Sequence, residues 1–406
     1  MFEFDLKFII GIFGLLFSGV LIFAFKSYII KAILFVFWYP LLPMCLFSIG
    51  IPLSGSIEIF GRSAYGEFAI DGFFLALLGF LVLISVLWKY RRSKIKIKRL
   101  IIGERTRILI ILLLMVVSII AYPKAWGIGT SRWNLLPGTW SVIYLAINGL
   151  LIISISSIKS FSTIIHLLLL LFVIKGGERV DSIMPLFLIV SLESDKENKS
   201  YIIESEIGII KVLFGLAVLV LGIYVGYSRL GNQFSFGLLL HNIIALHTVT
   251  DVIHVYLSSF YYVNNYGINL FPIINETFSL IPLHPWGGGG NEFNFTEILR
   301  GKVYNYGGGL FYTEGVLIFG KMGVLIYSFL FGRFIKILLK FDYQLVSVFM
   351  VMFLILLLRV QWYGLVYLYT PVLALLIIVG CFNVLKVIYP VNVIETSRKA
   401  FSIENY

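Results

Sequence analysis

Long apolar runs constrain this chain more than any other feature. They cover about Phe8–Phe25, Ile29–Leu53 and Ile70–Trp88, and recur at about 108–122, 138–157, 161–174, 183–192, 207–225, from Gly309 onward, 343–358 and 364–381. A helix crosses the hydrocarbon core of a bilayer with ~20 apolar residues. Backbone amides there find no water, so the spanning element must pair them internally. The runs predict about eleven transmembrane helices by that length rule. The fold class is therefore an all-α polytopic membrane protein, a single integral domain over residues 1–406. Hydrophobic residues make up 59% of the chain and charged residues 13%. A soluble core would show amphipathic periodicity instead, and a charged fraction of about a quarter. Pro40, Pro43 and Pro52 predict a kink in the second helix.

The net charge of +11 could suggest nucleic acid, but the excess is confined to short connections beside apolar runs. That is topology information of the positive-inside kind, and it argues against nucleic acid as a partner. In the segment 89–107, Lys89, Arg91, Arg92, Lys94, Lys96, Lys98, Arg99, Arg105 and Arg107 face a single acid, Glu104. It reads as cytoplasmic, a solvated anchor against anionic headgroups. The alternation of basic connections then places the N-terminus outside and the C-terminus inside. The first run has no small-residue cleavage site and reads as a retained helix. Cys45 and Cys381 lie inside apolar spans and form no metal or disulfide pattern.

Residues 227–308, between the eighth and ninth helices, form the one long interruption. A connection of roughly 80 residues exceeds what a helix pair needs, which points to function. Its part 234–262 is apolar with polar residues interleaved, the pattern of one or two helices along the membrane surface. The loop is expected on the periplasmic side.

The candidate chemistry gathers on that outer side. Arg179, Arg229 and Arg359 each mark the outer end of a helix. Arginine keeps its charge and grips phosphate oxygens bidentately, so outward arginines in an apolar bundle suggest an anionic headgroup, with a lipid-linked diphosphate the natural candidate. Their ordinary reading is lipid-phosphate anchoring. Glu314 stands one turn into the ninth helix, either as a capping-type acid or as a buried general base. His241, His247, Asp251, His254 and His284 cluster in the loop. His247 and Asp251 are one helical turn apart, yet no third ligand has suitable spacing, so no metal site is expected. His241 is the alternative base. Arg300, Asp251 and Tyr312 complete the candidate substrate-binding set. Soluble-enzyme signatures are lacking: the chain has no P-loop, GxSxG or HExxH motif.

Several of these elements resemble the Wzy-type O-antigen polymerases. They are Arg179 in Gly-Gly-Glu-Arg-Val-Asp-Ser, Arg229 after the eighth helix, the long outer loop, and Gly-Gly-Gly-Leu-Phe-Tyr-Thr-Glu314-Gly-Val-Leu-Ile-Phe-Gly320-Lys-Met-Gly323. The layout is also similar to that of the enterobacterial common antigen polymerase, with Arg359 matching its late arginine. The likeness runs from about Phe161 to the C-terminus. The repeated Arg–Gly motif of some members has no counterpart here. The resemblance implies a bacterial inner-membrane glycosyltransferase of the GT-C type, acting at the periplasmic face without metal, cofactor or nucleotide sugar. Its substrates would be undecaprenyl-diphosphate-linked glycan donor and acceptor, its surroundings membrane lipids, its companions a chain-length regulator and a flippase. Three rivals remain. An O-antigen ligase shares the architecture, and His241-Asn242 is similar to part of its pattern. The others are a lipid-linked oligosaccharide flippase or transporter and a purely structural or channel protein, both of which the long outer loop disfavours.

Overall fold

The computed structural model describes residues 2–48, 66–92, 96–128, 137–155, 157, 159–176, 180–191, 193–195, 200–202, 220, 247–274, 298–299, 302–303, 308–341, 343–364 and 366–388. The first helices are α1 (Phe2–Phe23), α2 (Tyr28–Trp38), α3 (Leu41–Ser48) and α4 (Ala69–Leu87). The expected kink is a full break: the helix ends at Trp38 and restarts at Leu41 across Pro40, which has no amide hydrogen to donate. Next come α5 (Glu104–Ala121), α6 (Pro137–Ile153), α7 (Phe161–Lys175) and α8 (Val180–Ser191). Ser160 caps α7, its hydroxyl accepting from the Thr163 amide at 3.3 Å. Later elements are α9 (His247–Tyr266), α10 (Tyr312–Phe319), α11 (Gly323–Lys340), α12 (Gln344–Ile355), α13 (Leu357–Tyr363) and α14 (Val366–Ile388).

Helix α4 packs along α11, α3 and α1, and α6 packs along α5, α14 and α12. The short α13 touches both α2 and α8 and so bridges these two groups. The core is continuous from Leu15 to Val379 and almost wholly aliphatic and aromatic. On the outside, α1 exposes Ile9, Phe13, Leu16, Phe17 and Val20, while α5 exposes Leu109, Leu112, Leu113 and Val116. In water such apolar stripes would be a liability, whereas against lipid they are the expected surface. Among the described residues, four stretches are long and apolar enough to cross a membrane: Ile29–Ser48, Ala69–Tyr90, Tyr312–Lys340 and Tyr367–Val384. Shorter apolar helices accompany them. The all-α membrane class follows, while a count of eleven spans remains an expectation.

The third of those stretches is not one helix. Twenty residues of straight helix would separate Phe311 from Phe331 by about 30 Å, yet their rings are 4.6 Å apart. The chain folds back at Gly320, whose φ of 63° suits glycine. The arms meet backbone to backbone. A Cβ on Gly315 would stand 2.6 Å from the Gly323 carbonyl oxygen, and one on Gly323 would overlap that of Gly315. So α10 is a half-helix running antiparallel to α11. The glycines of the Glu314-Gly…Gly320…Gly323 motif are explained by this turn and close approach alone. Gly323→Ala should therefore cost more than the ~1–3 kcal/mol usual for overpacking, since backbone rather than a flexible side chain must yield. A thermal-unfolding comparison in detergent, with Gly66→Ala as the open-space control, checks this.

One feature escaped the helical expectation. Strands β1 (Lys96–Lys98), β2 (Glu193–Asp195) and β3 (Ser200–Ile202) form an antiparallel sheet in the order β1-β3-β2. Register places Lys96 and Glu193 on either side of Ile202, and Lys98 and Asp195 on either side of Ser200. The Lys98 amide also donates to Ser347 Oγ at 2.9 Å, tying the sheet to the start of α12. Short strands of charged residues carry no hydropathy signal, so only pairing reveals them.

Helix α9 falls in the part of the loop expected to carry surface helices. It is buried without interruption from Val252 to Phe260 and packs on α10, α4 and α3. Ser258 and Ser259 gave it an amphipathic look. Their hydroxyls donate to the carbonyls of Val255 and Tyr256 at 2.9 and 2.6 Å, and hydroxyls satisfied within the helix can be buried.

Candidate functional site

The folded-back α10 carries Glu314 into the interior, where the residue is 3% exposed. The irregular segment leading into α10 is held by α13. Gly309 donates its amide to Trp362 O at 2.8 Å, and Phe311 to Gln361 O at 2.7 Å. Directly beyond, Gly364 adopts φ 81° and ψ −176°, a conformation open to glycine alone. A Cβ there would stand 2.8 Å from Glu314 Oε2 and 3.1 Å from Oε1. The Gly364 backbone thus lies against the carboxylate, leaving no room for a side chain. Glu314 is also in the first turn of α10, where the helix dipole favours a negative charge.

Two residues before Gln361, the same α13 presents Arg359. Its Nε and Nη2 donate to the two carboxylate oxygens of Asp181 at 2.5 and 2.6 Å. The Tyr122 hydroxyl donates to Asp181 Oδ2 at 2.7 Å. Tyr122 stands edge-on to Tyr144 at 5.0 Å, and Tyr144 OH pairs with Ser182 Oγ at 2.9 Å. The Asp181 side chain is fully buried, and that of Arg359 is 15% exposed. An acid so deep persists only with a charged partner and further donors. Asp181 fixes the guanidinium plane in return, side-on and bidentate. On the other flank, Trp362 Nε1 donates to Tyr39 OH at 3.2 Å, seating α13 against the α2–α3 break.

Among the remaining candidates, Tyr312 is buried in the core against Tyr256, Phe311 and Gly79. Asp251 belongs to α9, one turn after His247, and His254 of that helix meets Phe47 edge-on at 5.2 Å. Arg179, Arg229, His241, His284 and Arg300 lie outside the described residues. No group of three potential metal ligands occurs among the described residues. Asp181 is the site residue that sequence reasoning missed. It stood inside the quoted Gly-Gly-Glu-Arg-Val-Asp-Ser motif, and a lone acid opening an apolar helix was signal enough to demand a cation.

The opposite end corrects a second reading. Arg107, expected as a solvated anchor, is fully buried. Its Nε donates to Ser162 Oγ at 2.9 Å, and Nη1 to Leu151 O and Ser154 Oγ at 3.0 and 2.7 Å. Glu104 accepts from the Ser162 amide at 2.8 Å. One turn deeper, His166 pairs with Asn148 Oδ1 at 2.8 Å. Arg107 thus locks the start of α5 to the end of α6 and the start of α7, a contact no linear charge pattern could announce. Tyr122 directly follows α5 and Arg107 lies in its first turn, so the two polar clusters are about 22 Å apart at 1.5 Å per residue.

In comparisons with known proteins, no family model matches the chain, and neither does any curated protein or solved structure. The functional reading therefore rests on the residues and their geometry.

Proposed function

We propose that this protein polymerises undecaprenyl-diphosphate-linked oligosaccharide repeat units at the periplasmic face of the bacterial inner membrane. The growing glycan passes from its lipid diphosphate to the non-reducing end of a new unit. The observation that carries this reading is one short helix, α13. It holds an oriented arginine, Arg359, its Gln361 and Trp362 carbonyls hold the segment entering α10, and the Gly364 that ends it lies against the buried acid Glu314.

Such a transfer needs two groups. A hydroxyl of the acceptor sugar attacks the anomeric carbon of the donor, the new C–O bond forms, and the bond to the diphosphate breaks. The acceptor proton passes to the Glu314 carboxylate as general base. The electron pair leaves on the lipid diphosphate, whose charge the Arg359 guanidinium stabilises in a partly water-excluded site. Asp181 and Tyr122 position that guanidinium. Arg179 and Arg229 are proposed further contacts to the diphosphate, with Arg300 and Asp251 toward the glycan.

The test is genetic and biochemical together. Cells lacking the gene should carry lipid capped with a single repeat unit, and purified protein in nanodiscs should convert lipid-linked units into a ladder of longer glycans. Uncapped lipid with accumulated carrier-linked polymer would mean a ligase. Loss of lipid-linked units from the outer leaflet would mean a transporter.

A further inference from the structure

Gln361 poses a demand that the protein itself does not meet. The residue is completely buried, and neither its amide nitrogen nor its amide oxygen has a hydrogen-bond partner among the described residues. The same holds for the hydroxyl of Thr313, also fully buried. Leaving a buried donor or acceptor unsatisfied costs about 1–3 kcal/mol for each group, so native chains retain such groups where something else satisfies them.

The two residues are neighbours through the backbone. Gln361 O accepts the amide of Phe311, two residues before Thr313, and Gly364 lies against the carboxylate of Glu314. Gln361 and Gly364 are three positions apart at the end of α13, and Thr313 and Glu314 are consecutive in the first turn of α10. The residues that carry the unmet amide and hydroxyl are therefore backbone neighbours of the two residues, Gly364 and Glu314, that meet at the proposed base.

Their chemistry defines what they suit. A carboxamide holds two N–H donors and a carbonyl acceptor in one plane, with one N–H and the carbonyl oxygen side by side on a single edge. The vicinal hydroxyls of a sugar ring offer the complement, one accepting and the other donating. A phosphate offers acceptors only and would leave the amide oxygen unmet. An acyl chain offers neither.

We infer that Gln361 and Thr313 form a subsite for a sugar ring of the acceptor, binding its vicinal hydroxyls and turning a third toward Glu314. This rests on the polymerase reading for the word acceptor; the sugar-binding chemistry itself does not.

The substitution Gln361→Met separates the possibilities, because methionine nearly preserves volume while removing both polar atoms. Three probes are used in nanodiscs: bare undecaprenyl diphosphate, the lipid-linked oligosaccharide pool extracted from cells lacking the gene, and the same oligosaccharide released from its lipid. The subsite predicts that Gln361→Met raises the melting temperature without ligand, binds the bare carrier as wild type does, and binds the released oligosaccharide at least about tenfold more weakly. The acceptor KM should rise while the bare-carrier affinity holds. A glutamine held only by internal water predicts a lower melting temperature and unchanged oligosaccharide binding, which would overturn the subsite. So would a wild type that binds the released oligosaccharide no better than Gln361→Met. If wild type binds the oligosaccharide through Gln361 but forms no polymer, the polymerase reading falls and the subsite stands. Should Gln361→Met fail to accumulate, Thr313→Val, which exchanges one hydroxyl for a methyl, carries the same comparison.

Discussion

Glu314→Gln is expected to lower polymerisation by about 10²–10⁴-fold, the range a positioned general base contributes, with little change in protein abundance. Glutamine has the shape of glutamate, so it fits where the Gly364 backbone leaves no spare volume. It also relieves the burial of a charge in a residue only 3% exposed. Stability should hold or rise while the reaction is lost. That combination is what separates a base from a structural acid. An acid needed only for the first turn of α10 would show the reverse, since removing its charge weakens its interaction with the helix dipole. The measurement pairs a glycan ladder with quantified protein in the membrane. Full-length ladders in Glu314→Gln would remove Glu314 from the mechanism and leave His241 as the base to test.

The membrane class was legible because long apolar runs admit few alternatives in lipid. Individual helices followed with small shifts at α4 and α7, while α14 runs on past the expected end near Cys381 to Ile388. What stayed hidden depends on pairing between distant residues. Little in the run from Tyr312 to Lys340 announces a hairpin: it is apolar on both sides of the turn, and only Lys321 and the glycines at 315, 320 and 323 mark it. Arg107 and its neighbour Arg105 look alike in sequence. Arg107 is buried because its face of α5 meets the hydroxyls of Ser154, just past the end of α6, and Ser162 of α7. Glu314 and Arg359 were visible as ionisable residues in apolar surroundings, a pattern that marks function by its energetic cost. Most of their supporting residues were not. Tyr122 and Gln361 matter through what they meet or fail to meet, and that is a property of the packed bundle; Asp181 alone among them was signalled, as an acid opening an apolar helix.

Arg359→Lys should reduce polymer formation by about 10²–10³-fold, the loss seen when one preorganised donor to developing charge is removed. The pair with Asp181 makes this a sharper test than it would be at a lipid-facing arginine. Asp181 is fully buried and accepts from Arg359 through Nε and Nη2. Truncating Arg359 to alanine would strand that charge at a cost of about 3–5 kcal/mol, so loss of activity in Arg359→Ala would say nothing about chemistry. Lysine keeps a positive charge for Asp181 and so keeps most of the stability. It lacks the planar fork, and one ammonium cannot hold Asp181 side-on while presenting a second edge to a diphosphate. The expected signature is therefore normal accumulation, weaker binding of bare undecaprenyl diphosphate and very short glycans. Asp181→Asn should move in the same direction by a smaller factor, because the guanidinium keeps a hydrogen-bonding partner but loses the charge that fixes its plane. If Arg359 serves only as the counter-ion of a buried acid, Arg359→Lys will retain carrier affinity and chain length. Long glycans in that variant would falsify the diphosphate contact while leaving the Asp181–Arg359 pair intact as a structural bond.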